Sequence, residues 1–171
     1  MRIQTRQVAQ AVILVAIGVA LSPFTSFPIG IAKVNPTQHF VNIVGAVLLG
    51  PWWALAIAAI IGAIRNALGV GTLLAFPGGM IGAFLAGYTY RLSRNIYLGA
   101  LGEIVGTGIL AALVSGWLVA PFLMHKTMAV GLLIASFLGS TIVGTVLGLL
   151  ALKVLERIGY VDLKRDVNIR G

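Results

Sequence analysis

Apolar positions run along this chain in long unbroken stretches, each ended by Gly, Pro or a charged residue, and do not alternate with polar ones. That pattern predicts helices, the form in which a chain satisfies its own backbone in lipid. Six are expected, at about Gln7 to Leu21, Gln38 to Leu49, Trp52 to Leu68, Phe76 to Leu92, Tyr97 to Leu118 and Thr127 to Leu155. Pro23 ends the first, Gly50-Pro51 separates the second from the third, and Pro121 stops the fifth. Ser22 to Thr37, with Pro23, Pro28, Gly30 and Pro36, is a poor helix. Its Phe24, Phe27, Ile29, Ile31 and Val34 make it an ordered loop cap and not a disordered one. Gly69 to Gly79 reads as a second outer loop, and the polar segment after Tyr160 as a short tail, disordered or lying on the membrane surface.

Small residues recur at fourfold spacing on the predicted helices. Gly78, Gly82 and Ala86 stand beside Gly79, Ala83 and Gly87, and Gly102 and Gly106 beside Glu103, Thr107, Ala111 and Ser115. Gly131, Ala135 and Gly139 stand beside Ser136, Ser140, Gly144 and Gly148. Such stripes let helices approach closely, so all are expected to be packing surfaces.

Composition turns these helices into membrane spans. The chain is 59% hydrophobic and only 9% charged, with mean hydropathy +1.04, so an all-α membrane protein forming a single integral domain over residues 1–171 is expected, with the lipid bilayer as its surroundings. The formal net charge of +8 does not indicate a nucleic-acid partner, because the cations sit at the two ends and in one loop. With six spans, Arg2, Arg6, Arg91, Arg94, Lys153, Arg157, Lys164, Arg165 and Arg170 share one side, leaving Lys33 and Lys126 opposite. Fusing the second and third helices would destroy that segregation. A multi-pass protein of the plasma membrane with both termini cytoplasmic is the expectation, its first helix retained and not cleaved as a signal peptide. There is no cysteine, hence no disulfide and no thiolate chemistry.

The polar residues inside this apolar sequence are few. Gln38, His39 and Asn42 share a helix face and offer planar donors and acceptors suited to a heteroaromatic or hydroxylated ligand, or they merely cap the start of their helix. Arg65 and Asn66 close the third helix, either at a binding or gating site or with the Arg snorkelling to headgroups. Glu103 has no other acid before Glu156. It reads as a ligand acceptor, an ion partner or a protonatable relay, or else as a carboxyl at the helix end, with Thr107 and Ser115 on the same stripe as better ligand contacts. Trp52 and Trp53 fit an interfacial belt, and His125 and Lys126 a solvated turn in the outer loop or else part of a lid. No phosphate-binding loop, hydrolase elbow or metal-ligand cluster is present, so no catalytic residue, metal or cofactor is expected on this chain, and it is not expected to be an enzyme.

Asn-Pro-Thr-Gln-His-Phe-Val-Asn (35 to 42), Leu-Gly-Pro-Trp-Trp (49 to 53), the run Arg65 to Ala83 and Gly-Glu-Ile-Val-Gly-Thr-Gly (102 to 108) resemble the ThiW family over nearly the whole chain. These are substrate-binding S components of energy-coupling factor (ECF) transporters, assigned to the thiazole precursor of thiamine. The resemblance implies a six-helix S-component bundle that binds a vitamin precursor near its outer face. It also implies docking on a transmembrane coupling subunit driven by two ATPase subunits, which would use the ATP. A small-residue face of the first helix would meet the coupling subunit, here Ala9, Ala16 and Ala20.

The leading expectation is capture of hydroxyethylthiazole or a phosphate-free relative. Its ring would be held by Gln38, His39 and Asn42 and by Thr107 or Ser115, with Arg65, Asn66 and Glu103 as further site residues and the two outer loops as lids. The rival is a stand-alone proton-coupled carrier or channel for a small heteroaromatic solute, relayed by Glu103 and His39. A membrane enzyme acting on lipid is the weakest reading.

Overall fold

In the computed structural model, which describes residues 4–163, six helices follow one another: α1 (Thr5–Thr25), α2 (Pro36–Leu49), α3 (Pro51–Ala67), α4 (Ala75–Ser93), α5 (Ile96–Leu123) and α6 (Val130–Arg157). Asn35 starts α2 by accepting from Gln38 N at 3.0 Å, and Pro36 follows at the first helical position, where its missing N–H costs nothing. Gly50, at φ 90, turns the chain directly into α3 through Pro51. The second and third helices are thus separate, as the charge pattern requires.

Helix α2 is buried nearly all round and touches α1, α3, α4, α5 and α6. Its 14 residues rise only about 21 Å, short of the roughly 30 Å hydrocarbon core. Helices α5 and α6, 28 residues each, run well past it. The short central helix therefore leaves a recess at its N-terminal end, walled by longer neighbours.

What covers that recess differs from the loop read in the sequence. Residues 27–34 form an antiparallel hairpin, β1 (Phe27–Ile29) and β2 (Ala32–Val34), turned at Gly30 with φ 58. A Cβ on Gly30 would come within 2.8 Å of Met128 Cε, so the hairpin tip sits on the α5–α6 connection. Lys33 Nζ donates to Gly69 O in the α3–α4 connection. The hairpin thus joins both other loops at this end. The opposite end gathers the cations: Arg6 lies 5.7 Å above the Tyr160 ring and Lys153 Nζ 5.4 Å above Tyr97.

Two prolines fail to stop their helices. Pro23 lies in the last turn of α1, where it gives up a single backbone bond while the Ser22 and Thr25 hydroxyls satisfy the carbonyls of Gly18 and Leu21. Pro121 is carried within α5 because Gly106–Ala111 and Ser115–Leu123 are wound with wider i to i+5 turns. Those turns relieve the clash that a proline ring makes with an ordinary helix. Helix α4 begins at Ala75, so Gly78 and Gly79 are helical and not part of a loop. Of the expected tail, Tyr160 accepts from Gln10 Nε2 at 3.0 Å and Leu163 is buried on the bundle. Lys164 to Gly171, and Arg2 at the other terminus, lie outside the described residues.

The small-residue stripes pack with one exception. Gly87 meets Pro51, Gly102 meets Leu85 and Thr89, and Gly144 and Gly148 lie against α2 at Pro36, Phe40 and Ile43. Gly131, Ala135 and Gly139 instead face outward, with nothing near Gly131 or Gly139, so this stripe does not pack within the chain. We predict that Gly87→Val lowers the thermal unfolding temperature in detergent by an amount matching about 1 to 3 kcal/mol of overpacking. Gly139→Ala should leave it unchanged or raise it, and a drop as large as that of Gly87→Val would contradict this packing.

Candidate functional site

The floor of the recess is built around one carboxylate. Glu103, fully buried on α5, points its Oε1 at α2, where His39 Nδ1 and Asn42 Nδ2 each lie 2.9 Å away. The second Asn42 amide hydrogen goes to Gly79 O on α4 at 3.0 Å, and Asn42 Oδ1 accepts from Gln38 Nε2 at 3.1 Å. Thr107, one turn beyond Glu103, donates to Gly78 O at 2.8 Å and stands 3.2 Å from Glu103 Oε1. Three helices are thereby tied through side chains that would each be costly alone in an apolar bundle. Glu103 Oε2 lies against Gly82, where a Cβ would come within 2.7 Å of it. The small residue on α4 is what lets the carboxylate sit there.

Above this floor lies a cavity of about 30 Å³, lined by Gln38, His39, Thr107, Gly78 and Gly79 below and by Leu74, Ala75, Phe137 and Ser140 at the sides. Lys33, Val34, Asn35 and Arg65 complete it on the hairpin side. Its size suits a water or two, so a ring enters only if the hairpin gives way. Gln38 Oε1 and Ser140 Oγ are buried without hydrogen-bond partners. Asn35 holds the hairpin to α1, donating to Ser22 Oγ at 3.1 Å and Ser26 Oγ at 2.7 Å. Larger hollows of about 450 Å³ lie on the outer faces, one among α1, α2 and α6 and another between α4 and α5, and their linings are almost wholly apolar.

Of the residues singled out in the sequence, Gln38, His39, Arg65 and Thr107 line the cavity, while Asn42 and Glu103 lie directly beneath it. The three polar residues of α2 are not its cap, which is Asn35, and Glu103 is not at a helix end in contact with headgroups. Nor does Arg65 snorkel, being only 2% exposed. Asn66 stands apart from the cavity, donating to Gly62 O and Thr72 O and so fixing the α3–α4 connection. Ser115 is buried two turns beyond Thr107 without reaching the lining. Phe137 and Ser140 line the cavity without having been singled out as site residues in the sequence, and Lys33 and Asn35 line it from the segment expected to be a lid. The signal for Lys33 was its isolation as the one cation of an apolar loop. Ala9, Ala16 and Ala20 are exposed on α1, opposite buried Ala11, Leu14 and Gly18. Among the described residues no cluster of His, Cys, Asp or Glu has metal-binding geometry.

Residues 8–158 match the ThiW family, described as thiamine-precursor transporter protein. The chain belongs to this family. As a member of the ThiW family it is a membrane protein of transport, in a class that is not one of enzymes. A solved structure described as the S component of a bacterial ECF transporter has the same fold. It superposes with a TM-score of 0.75 over 95% of this chain and 100% of that one, at 18% sequence identity. No protein with a curated description matches the chain in sequence.

The floor network makes a stability prediction for this ThiW chain. Glu103→Ala strands His39 and Asn42 in the interior and should cost about 1 to 3 kcal/mol, read as a lower unfolding temperature in detergent. Gly82→Ala should do likewise by displacing the carboxylate. Wild-type stability in both variants would refute the network.

Proposed function

We propose that this chain is the cargo-capture subunit of an ATP-driven importer and that its cargo carries the thiazole ring of thiamine. The observation that supports this best is the cavity itself. In a bundle with few interior polar groups, Gln38, His39 and Thr107 converge on one space beside Phe137 and under a folded hairpin. Family membership supplies the precursor, and the S-component fold supplies the manner of working. A planar heteroaromatic ring would lie against Phe137 with its polar atoms on Gln38 and Ser140, whose unpartnered oxygens accept donors from a ligand.

Transport in this reading belongs to partners. The sequence has no phosphate-binding loop motif, so in this reading the chain needs no cofactor of its own and ATP would be used by two ATPase subunits acting through a transmembrane coupling subunit. The exposed face of α1 with Ala9, Ala16 and Ala20 is smooth enough for close helix contact and is the docking surface we assign. The end bearing Arg6, Arg91, Arg94, Lys153 and Arg157 is cytoplasmic by the positive-inside rule, which places the hairpin and cavity outside and both termini inside. The hairpin would be the lid. Loading requires it to lift from Met128 and Gly69, and closure over the cargo would seal the space.

The His39–Glu103 contact also suits the rival proton-coupled carrier, and reconstitution separates the two. Proteoliposomes holding this chain alone should show no uptake of hydroxyethylthiazole under a pH gradient, and gradient-driven uptake would favour the carrier. The purified chain alone should bind hydroxyethylthiazole in calorimetry. Gln38→Ala and Phe137→Ala should each weaken binding about tenfold, the scale of one lost hydrogen bond or ring contact, whereas Asn66→Ala should not. Failure to bind any thiazole, pyrimidine or thiamine would refute the proposal.

A further inference from the structure

Arg65 is the largest of the fully enclosed side chains, at 2% exposure, and it lines the cavity. Its Nη2 donates to Ser26 Oγ at 3.2 Å, while Nε is buried with no partner at all. A guanidinium at membrane depth costs about 2.5 to 3.5 kcal/mol on insertion scales, and a single hydroxyl is poor compensation. Among the described residues no acid pairs with it. Among the described acids, Glu103 is engaged by His39 and Asn42, and Glu156 and Asp162 belong to the opposite, basic end. The C-terminal position of Arg65 on α3 supplies only the partial charge of a helix end.

A second cation faces the same space. Lys33 lines the cavity from β2, and its ammonium is held by Gly69 O and not by a carboxylate. Two cations thus line one side of the cavity, one with an unused donor, and an Arg fork pairs with carboxylate or phosphate oxygens in a fixed geometry. We propose that the cargo is anionic, a small heteroaromatic ring carrying a phosphate or carboxylate arm that pairs with Arg65 and Lys33 while the ring lies toward Gln38 and Phe137. This rests on the cavity being the cargo site and departs from the phosphate-free ligand expected from the sequence. The charge also gives the hairpin a reason to close, because Lys33 reaches the anion only with β2 in place.

The test compares probes that differ only in the anion: hydroxyethylthiazole, its phosphate ester, and a thiazole whose side arm ends in carboxylate. Each is titrated into the purified chain by calorimetry. The phosphate or the carboxylate form should bind at least about tenfold more tightly than the neutral alcohol, and whichever leads identifies the arm. Arg65→Gln should abolish the preference and Arg65→Lys should retain part of it. Should Arg65→Gln not fold, Lys33→Gln, on the half-buried hairpin, should reduce the preference in a chain that still folds. Equal or tighter binding of the neutral alcohol overturns the anionic assignment and leaves the cargo reading standing. Absence of binding by all three probes overturns both.

Discussion

A single carboxylate oxygen, Glu103 Oε1, fixes how three helices meet. With His39 and Asn42 of α2 at 2.9 Å, and with α4 drawn in through Asn42 to Gly79 O, the oxygen sits where an unpaired charge could not persist. Neighbouring sequence accommodates it. Gly82 makes room, and Gly78 and Gly79 present their carbonyls without a side chain in the way. A polar junction of this kind gives an apolar bundle a defined register that Leu and Val contacts alone leave loose. It also explains why so short a helix as α2 holds the centre. What lipid-spanning length it lacks is replaced by side-chain bonds at its outer end.

From that junction the functional half follows by geometry. The short α2 creates a recess, α5 and α6 wall it, and the segment joining α1 to α2 folds down over it as a hairpin. Two layers of polarity result. The lower, Glu103 with its partners, is internally satisfied apart from Oε2. The upper includes Gln38 Oε1, Arg65 Nε and Ser140 Oγ, which are buried without partners on residues that line the cavity. The lower layer ties α2, α4 and α5 together, and the upper borders the cavity. The hairpin is three residues per strand. Besides Lys33 to Gly69 O, the Met128 contact and the Asn35 side chain, it buries Ala32 and Val34 in an apolar cluster with Leu74, Leu133 and Phe137.

Much of this was legible before any coordinates. Continuous apolar runs and the side of each Arg and Lys separated six helices correctly, because lipid leaves the backbone few alternatives. Gln38, His39, Asn42, Glu103 and Thr107 were recognisable since a polar side chain in such surroundings must be paired. Less accessible were features that depend on three-dimensional neighbours. Pro23 and Pro121 stop helices in general, but a final turn and a widened helix absorb them here. The 27–34 hairpin escaped notice because its strands are three residues long and contain a proline. Gly131 and Gly139 have the same spacing as the packed stripes and differ only in having no helix beside them. Asn66 shares its neighbour Arg65's polarity, yet faces the chain turn and not the cavity.

Cargo held above Glu103 and beneath the hairpin would shield the cavity wall and leave the outer grooves open. The chain has no cysteine, so Ser140→Cys introduces a lone thiol of nearly unchanged size into the cavity wall, and Val44→Cys one into the apolar groove among α1, α2 and α6. The measurement is the rate of maleimide labelling of each, with and without saturating thiazole ligand. Ligand should slow labelling at position 140 strongly and leave position 44 unaffected. Protection at 44 with none at 140 would place the cargo elsewhere and contradict this assignment.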